Sequence, residues 1–259
     1  MGQHFLVDSH VVGKIISAAA LGESDVVLEV GPGPGGLTQA MLPHVGHLIA
    51  VELDTQLIPV LNSLFSNSNI TIIQGDILKI DLPTILAPYT KNPIKVVANL
   101  PYYITTPVIF HLLESSLPFE SITVMVQKEV AKRMTASPGT KDYGSLTLAV
   151  QYYADVELVA NVPVNCFMPR PAVDSAVVHM KILHEPRVSA DKEQLFKVVH
   201  AAFNQRRKTL ENALSAGMEM DKAHIAAAIE KCGLKADIRG ETLDMDAFVK
   251  ISKTLQQNM

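Results

Sequence analysis

The sequence predicts an α/β fold in which a mainly parallel sheet, covered by helices on both faces, precedes a small all-α domain. Short apolar runs alternate with helix-like segments over the first 185 residues. Near-continuous apolar strands alternating with helices are typical of a parallel sheet buried on both faces. After Leu183 the strand pattern stops and only helical periodicity follows.

Seven runs predict strands, because each is apolar and rich in β-branched residues. They are residues 26–30, 48–53, 70–74, 94–98, 122–126, 156–162 and 177–183. Helical patterns lie between the first five strands, near residues 37–42, 56–65 and 106–114. Only a short link joins the last two strands, which predicts an antiparallel pair at one edge of the sheet.

The pattern of apolar residues changes at residues 184–190 (HEPRVSA), which are typical of a linker. We therefore predict a boundary near residue 186, between a domain of residues 1–185 and a helical domain of residues 186–259. The apolar spacing beyond the linker predicts two successive helices. The residues on their buried faces are Leu195, Val198, Val199 and Ala202 in the first helix and Leu210 and Leu214 in the second.

Composition narrows the class of protein. Cys166 and Cys232 are the only cysteines, so neither a disulfide framework nor a structural zinc site is expected. No uncharged apolar run approaches the ~18 residues that span a bilayer, and the first residues lack the basic-then-apolar order of a signal peptide. We expect a cytoplasmic monomer that binds neither a metal nor a membrane.

The distribution of charge is uneven. The net charge is −4, but residues 1–185 carry −6 and residues 186–259 carry +2. Such an asymmetry is typical of a local basic face within an acidic total. It hints at an anionic partner for the helical domain.

A glycine-rich turn, Gly31-Pro-Gly33-Pro-Gly-Gly36, follows the first predicted strand and opens a helix. Glycines allow a tight turn and a close approach of a ligand to the backbone. The spacing satisfies the dinucleotide fingerprint, and Glu52 lies about twenty residues on, where an acidic residue binds a ribose diol. The motif alone fits a nicotinamide cofactor and S-adenosylmethionine equally well.

Two details favour the methyl donor. Pro32 and Pro34 remove N–H groups that a pyrophosphate would use, and Glu29 adds negative charge that suits a sulfonium and an ammonium group. Asp76, after the third strand, is placed to accept from an adenine amino group. The alternative is that the glycines only form a strand–helix turn and that Asp76 caps a helix.

The run Asn99-Leu100-Pro101-Tyr102 ends the fourth predicted strand. An aromatic amine is a poor nucleophile, because its lone pair is delocalised into the ring. Hydrogen-bond acceptors for its two N–H groups favour a tetrahedral nitrogen whose lone pair is available. The Asn99 side-chain oxygen and the Leu100 carbonyl supply such acceptors, Pro101 stiffens the turn, and the Tyr102 ring can stack on a base. Together with the glycine turn, these residues predict methylation of a nucleobase amino nitrogen.

A base within folded RNA must swing out to reach such a pocket. Phe167, in a proline-stiffened loop before the last strand, is our candidate for a second stacking ring. The alternative is a loop aromatic that only covers the core.

The chain resembles the ribosomal RNA adenine N6-dimethyltransferase family, and within it the bacterial branch that acts on 16S rRNA. The resemblance covers almost the whole chain and is specific as a set, although the glycine turn alone is not. Its carriers are GQHFLVD (2–8), EVGPGPG (29–35), VELD (51–54), GD (75–76), NLPY (99–102), QKEVAKR (127–133), FMPRPAV (167–173) with Ser175, and FNQRRKTL (203–210).

The resemblance implies a Rossmann-like, seven-stranded S-adenosylmethionine-dependent methyltransferase domain and a small helical domain. It implies dimethylation of two adjacent adenines near the 3′ end of 16S rRNA in the assembling small ribosomal subunit, with S-adenosylhomocysteine as product. Its donor site corresponds to His4, Leu6, Gly31, Gly33, Glu52, Asp76 and Asn99, and its acceptor site to Asn99, Leu100, Tyr102 and Phe167.

Two departures from the family pattern stand at the amino terminus. Members usually carry a basic stretch before the GQ motif, whereas this chain begins directly on it. Position 4 is usually Asn and here is His4, which is harmless if the donor contacts its backbone and makes affinity pH-sensitive if the donor contacts its side chain.

Basic residues at three places are candidates for phosphate contacts, which position RNA without reading its sequence. Three consecutive cations lie at the turn between the first two helices of the helical domain. Others follow the fifth strand or lie in the Phe167 loop, where we expect them at the sheet edge that carries the pocket. The candidates are Arg206, Arg207, Lys208, Lys128, Arg133 and Arg170.

Three rival functions remain open from the sequence. A nicotinamide oxidoreductase would use the glycine turn but leave residues 99–102 and the basic tail without a role. A non-enzymatic ribosome-assembly factor would retain the fold. The 23S rRNA adenine methylases share the donor site, tend to carry Ile where Leu100 stands, and are expected to lack a counterpart of residues 203–210.

Overall fold

The computed structural model describes residues 4–235 and 237–257, so Gly2 and Gln3 of the amino-terminal motif lie outside the described residues. The chain forms two compact units. The first unit contains the described residues up to Ala131 together with Asp155–Ile182, and the second contains Lys132–Ala154 together with the described residues from Leu183 onward.

The elements follow one another in the alternating order that the sequence predicts. Before the linker they are β1 (Phe5–Leu6), α1 (Ser9–Ala19), β2 (Val26–Val30), α2 (Gly36–Met41), β3 (His47–Glu52), α3 (Leu57–Leu64), β4 (Ile70–Gln74), α4 (Leu82–Leu86), β5 (Ile94–Asn99), α5 (Thr105–Leu113), β6 (Phe119–Gln127), α6 (Lys128–Met134), α7 (Ser145–Tyr153), β7 (Ala154–Val162), β8 (Phe167–Met168) and β9 (Ser175–Ile182). After it come α8 (Lys192–Asn204), α9 (Leu210–Met218), α10 (Lys222–Lys231) and α11 (Met245–Gln257).

A seven-stranded sheet organises the first unit, with the strand order β4-β3-β2-β5-β6-β9-β7. The pairs β4–β3, β3–β2, β2–β5 and β5–β6 are parallel, and β9 runs antiparallel to β6. All seven predicted strands are present. Every residue of β2 is buried, which is why these strands read as continuous apolar runs rather than alternating ones.

The strand order reverses direction between β2 and β5, because the chain first builds outward through β3 and β4 and then returns. In open α/β sheets, the crevice at such a switch point, outside the carboxyl ends of the strands, is where ligands bind. The glycine turn follows β2, and Asn99 ends β5. The topology therefore brings these two motifs to the same crevice.

The second unit is helical, and its core surrounds the buried ring of Phe248. All four residues that the sequence placed on the buried face of its first helix, now α8, are buried. Close packing against α9 needs Gly217, because a Cβ there would lie 2.7 Å from the Ala201 Cβ.

The second unit resumes at Leu183, close to the predicted boundary near residue 186, but it also includes an earlier segment that was predicted to belong to the first domain. Lys132–Ala154 belongs to the helical unit, because Tyr143 and Tyr152 are buried among side chains of α8 and its neighbours. The Tyr143 hydroxyl also donates to the Leu243 carbonyl at 2.8 Å. Within the described part of the chain, no helix is long and apolar enough to cross a bilayer.

Candidate active site

A cavity of about 700 Å³, open to solvent, lies at the switch point of the sheet. Four separate segments of the first unit form its walls, and most of the predicted donor and acceptor residues are among them. The lining residues are His4, Phe5, Leu6, Glu29, Gly31, Pro32, Gly33, Pro34, Gly36, Leu37, Asn99, Leu100, Pro101, Tyr102 and Phe167.

The glycine turn has already used the N–H groups that a pyrophosphate would need. Gly31 donates to the Val51 carbonyl at 2.9 Å, and Gly35 donates to the Pro32 carbonyl at 3.0 Å. Gly33 donates to a Glu52 carboxylate oxygen at 3.0 Å. Since Pro32 and Pro34 carry no N–H, no residue from 31 to 35 offers one to a phosphate. This turn suits a cationic ligand better than a dinucleotide.

Gly33 also keeps the cavity open. Its φ of +57° is one that L side chains rarely adopt, and a Cβ there would lie 3.1 Å from Cε1 of Phe5. The backbone therefore packs against the Phe5 ring of the amino-terminal strand, and a side chain at position 33 would displace that ring, which also lines the cavity.

Glu29 lies buried in the cavity wall, where its Oε2 accepts a hydrogen bond from the Thr38 hydroxyl at 2.6 Å. The pKa of this carboxyl is raised from 4.5 to about 8, chiefly by burial and in smaller part by the nearby Glu52 charge, while the Thr38 hydrogen bond opposes the shift. The expected negative charge of Glu29 is thus wrong for the ligand-free protein at pH 7, where the proton is retained.

Replacing Glu29 by Gln is expected to flatten the pH dependence of folding stability. The folded-state pKa lies above its ordinary value, so the folded protein holds a proton that the unfolded chain releases. The free energy of unfolding therefore falls as the pH rises from 5 to 8. In urea titrations, the free energy of unfolding of the wild type is expected to fall by on the order of 2–3 kcal/mol more than that of Glu29→Gln over this range. Equal losses would contradict a protonated Glu29.

Glu52 and Asp76 lie at the carboxyl ends of β3 and β4 but do not line the cavity. Both Glu52 carboxylate oxygens accept backbone N–H groups, from Gly33 at 3.0 Å and Asp54 at 2.8 Å. Asp76 accepts from the Leu78 N–H at 3.1 Å and pairs with Lys79 at 3.4 Å. Both carboxylates hold the backbone of loops at the carboxyl edge of the sheet. Their predicted contacts with the methyl donor stay predictions.

Asn99 ends β5 with its amide in a defined orientation. Its Nδ2 donates to the backbone carbonyl of His4 at 3.2 Å, and the amide oxygen Oδ1 remains available as an acceptor. His4 is held in turn, because its Nδ1 donates to the Pro169 carbonyl at 2.8 Å. The backbone of position 4 therefore orients Asn99, and the His4 ring anchors that backbone to the loop after β8.

The residues after Asn99 are fixed just as firmly. The Leu100 N–H donates to the Met125 carbonyl at 3.3 Å, and the Pro101 carbonyl accepts from the Ile104 N–H at 3.1 Å. The Tyr102 hydroxyl is 2.7 Å from the Ser175 hydroxyl. Tyr102 can therefore present its ring edge or face to the cavity in only a narrow range of orientations.

Ser175, which is fully buried, is a residue whose role the sequence reasoning missed. It was noted only as part of the motif with Phe167, and its partner Tyr102 lies 73 residues away. Phe5 was missed for the same reason, since only the pairing of β1 with β8 brings its segment to the glycine turn.

Phe167 is only 2% exposed. It pairs with Leu6 between β1 and β8 and packs in the apolar core, while part of it lines the cavity. The sequence left open whether Phe167 is a stacking ring or an aromatic that covers the core. In this structure Phe167 is a core residue, and part of it also lines the cavity. A stacking role requires the ring to become more exposed when substrate enters.

The cations divide between the two units. Lys128 begins α6 and pairs with Asp174 at 3.3 Å, and Arg170 is exposed in the loop after β8. Arg133 belongs to the second unit, so the expectation that it shares the sheet edge of the cavity lacks support.

Arg206 is not a free surface cation. Its guanidinium donates to the carbonyls of Lys141 and Tyr143 and lies over the Phe203 ring at 5.8 Å. Arg207 and Lys208 are exposed in the predicted turn between α8 and α9. The three consecutive cations therefore have different roles, and Arg206 holds the turn in place.

The cavity combines a glycine turn poor in free N–H groups with the amide of Asn99 and the ring of Tyr102. Within the described residues, no group of three or more His, Cys, Asp or Glu side chains is placed to hold a metal ion. The chemistry that this geometry supports is positioning of an aromatic amine for an in-line displacement.

The sequence pattern of the family described as ribosomal RNA adenine dimethylase matches residues 1–257. The chain belongs to this family. It is therefore an S-adenosylmethionine-dependent methyltransferase of rRNA adenines, as the sequence predicted. The glycine turn and residues 99–102, which the sequence predicts as donor and acceptor motifs, meet at one cavity in this structure.

Two sequence relatives of this dimethylase carry the same name. The ribosomal RNA small subunit methyltransferase A of Lachnoclostridium phytofermentans is 51% identical over 264 residues, covering 100% of this chain and 91% of that protein. The protein of the same name from Clostridium botulinum is 46% identical, covering 97% of this chain and 91% of its own.

Solved structures agree on the fold of the dimethylase. A dimethyladenosine transferase from Plasmodium falciparum superposes with a TM-score of 0.81 at 28% identity, over 96% of both chains. The 23S rRNA methyltransferase ErmE superposes with a TM-score of 0.74 at 25% identity, over 98% of this chain and 100% of its own. Because that superposition includes the helical tail, the expectation that 23S enzymes lack a counterpart of residues 203–210 is wrong.

Proposed function

We propose that this dimethylase transfers methyl groups from S-adenosylmethionine to N6 of two adjacent adenines near the 3′ end of 16S rRNA, within the assembling small ribosomal subunit in the cytoplasm. The placement of Asn99 carries the chemical part of the proposal, because this residue lines the cavity and its Nδ2 is used by the His4 carbonyl, so that Oδ1 remains to accept from a ligand. The names of the bacterial relatives support the choice of subunit.

The donor side holds its ligand through the glycine turn and the carboxylates behind it. The open space above Gly31 and the missing Cβ of Gly33 admit the ligand, and the buried acid Glu29 lies in the wall. S-adenosylmethionine, when bound, supplies an electrophilic methyl group beside a sulfonium. The proton on Glu29 is released when a cation approaches, since a positive neighbour lowers the pKa of a carboxyl.

The acceptor side makes the adenine amine nucleophilic. Oδ1 of Asn99 and the carbonyl of Leu100 accept the two N6 hydrogens, which turns the nitrogen toward a tetrahedral geometry with an available lone pair. Tyr102 stacks on the base. No dedicated general base is needed, because the amine becomes strongly acidic once it attacks the methyl carbon. Catalysis is then mostly alignment of nitrogen, methyl carbon and sulfur.

Removing the charges of Arg207 and Lys208 by alanine substitution is expected to weaken binding to small subunits and to reduce its salt dependence. Each phosphate contact contributes roughly 0.7–0.9 to the slope of log affinity against log salt, so the double variant is expected to lower the slope by about 1–2. Filter binding across a salt series measures it. The matched control is Lys250→Ala/Lys253→Ala on exposed positions of α11, and an unchanged slope in both would argue against phosphate contact at the turn.

The proposal is tested by two assays on the purified protein. Calorimetry is expected to detect S-adenosylhomocysteine but neither NAD nor NADP. Labelled S-adenosylmethionine is expected to mark rRNA in unmethylated small subunits and to leave large subunits unlabelled. Label in the large subunit would instead support a 23S enzyme, and nicotinamide binding would support an oxidoreductase.

A further inference from the structure

Three large apolar side chains of the first unit are exposed immediately after residues that line the cavity. Val7 follows Leu6 and is 62% exposed. Tyr103 follows Tyr102, Met168 follows Phe167, and each is 66% exposed. We call these three residues the apolar rim. Exposed apolar side chains grouped around a cavity mouth are typical of an interaction site rather than of an ordinary surface.

The register of the small two-stranded sheet places two members of the rim on one face. Phe5 of β1 is directly opposite Met168 of β8. Val7 is two residues beyond Phe5, and its N–H donates to the Cys166 carbonyl at 2.9 Å, so the ladder continues. Because side chains alternate with period 2, Val7, Phe5 and Met168 point to the same side, diagonal neighbours across the ladder.

Tyr103 is connected to the same rim through short contacts. Its neighbour Tyr102 packs beside the His4 ring, with centroids 5.7 Å apart, and His4 Nδ1 donates to the carbonyl of Pro169, the residue after Met168. Tyr102 and Tyr103 begin a single short helical turn, Tyr102–Ile104. Tyr102 is thus held in the cavity wall by its hydrogen bond with Ser175, while the next residue, Tyr103, exposes its ring to solvent.

We propose that the apolar rim, and Tyr103 above all, stacks on the unpaired nucleobase next to the adenine in the cavity. The inference rests on the proposed function, because it takes the cavity as the pocket for the target base. A neighbouring nucleotide cannot enter the same pocket and must lie at its mouth. Exposed aromatic rings bind bases of any sequence by stacking, and exposed Arg170, two residues after Met168, provides positive charge for the intervening phosphate.

The charge next to the rim favours a nucleic acid over an apolar protein surface. The one acidic residue adjacent to Val7 is Asp8, and its carboxylate is already used at the start of α1, where it accepts from the N–H groups of His10 and Val11. The rim therefore places one exposed aromatic ring, Tyr103, and two exposed aliphatic side chains near the exposed cation Arg170, and an aromatic ring with a cation is the combination found in single-strand binding grooves.

Steady-state kinetics with unmethylated small subunits tests the proposal through a split between KM and kcat. Tyr103→Ala is expected to raise KM about tenfold, the loss of one base stack, with little change in kcat, because the contact is equal in the ground and transition states. Tyr103→Phe keeps the ring and is expected to stay within about twofold of the wild type. Leu64→Ala, at a 60% exposed apolar position on α3, is the matched control.

Several outcomes overturn the inference. A KM for Tyr103→Ala equal to that of Leu64→Ala would do so, provided that both variants bind S-adenosylhomocysteine as the wild type does. A wild type that binds S-adenosylhomocysteine but methylates no RNA would overturn the proposed function itself, and the inference with it. These failures are distinguishable, because the first leaves wild-type transfer intact.

A photo-crosslinker placed at position 103 identifies the occupant directly. With a benzophenone side chain in place of Tyr103, irradiation of the complex with small subunits is expected to attach the protein to a nucleotide adjacent to a methylated adenine. Attachment to a ribosomal protein, or to RNA elsewhere, would contradict a nucleobase at the rim.

Discussion

Asn99→Ala is expected to lower kcat for methyl transfer by about 10²–10³-fold, as removal of one well-placed acceptor from a transition state does. The substitution removes the oxygen that accepts from the adenine amine and also the N–H that holds the His4 carbonyl at 3.2 Å. The affinity for S-adenosylhomocysteine is expected to fall only a few-fold, because the glycine turn is untouched. Single-turnover transfer to unmethylated small subunits measures the loss.

The control for Asn99 is Asn92→Ala, which changes an exposed asparagine in the turn just before β5 and is expected to behave as the wild type. Thermal unfolding of both variants separates a chemical defect from a folding defect. Rates like those of the wild type in Asn99→Ala would remove the amide from the mechanism.

Gly33→Val is expected to abolish detectable donor binding, with an increase of at least about 100-fold in the dissociation constant of S-adenosylhomocysteine. The backbone at Gly33 has a φ of +57°, and the new Cβ would lie 3.1 Å from the Phe5 ring. The branched side chain therefore pushes aside the Phe5 ring, which lines the cavity, and distorts the wall of the proposed donor site. Isothermal titration calorimetry measures the effect.

A second glycine separates blockage of the site from backbone strain. Gly139 has a φ of +83° with no atom within 4 Å of a Cβ placed there. Gly139→Val therefore introduces comparable strain, about 1–2 kcal/mol, without filling the cavity. It is expected to be less stable but to bind the donor normally. If the two variants lose donor affinity equally, Gly33 does not form the donor site.

The sheet could be predicted from sequence because its information is local. Strands such as β2 and β5 are buried on both faces, so each appears as a mainly apolar run, interrupted by one charged residue, whatever its neighbours are. The glycine turn and Asn99 are read the same way, since each motif is contiguous and directly follows its strand. Topology then places both at the switch point without further information.

Contacts between distant segments could not be predicted in this way. His4 and Pro169 are 165 residues apart, and nothing in either segment encodes the pairing of β1 with β8. The sequence does not distinguish Arg206 from the two cations that follow it. Its hydrogen bonds to the Lys141 and Tyr143 carbonyls do. The charge state of Glu29 likewise depends on burial, which no single strand reveals.

The membership of Lys132–Ala154 in the helical unit was missed for a similar physical reason. The helix α7 has the same apolar character as the helices that cover the sheet, so its sequence does not reveal which core it joins. Only the packing of Tyr143 and Tyr152 with residues of α8 assigns it to the helical unit.

The central claim is tested most directly by mapping the methylated nucleotides. Small subunits from cells that lack this methylation are incubated with the protein and methyl-labelled S-adenosylmethionine, and the labelled nucleosides are identified and located by mass spectrometry. Two neighbouring N6,N6-dimethyladenosines near the 3′ end of 16S rRNA are the predicted result. Label confined to 23S rRNA, or no label in any RNA despite binding of S-adenosylhomocysteine, would contradict the account.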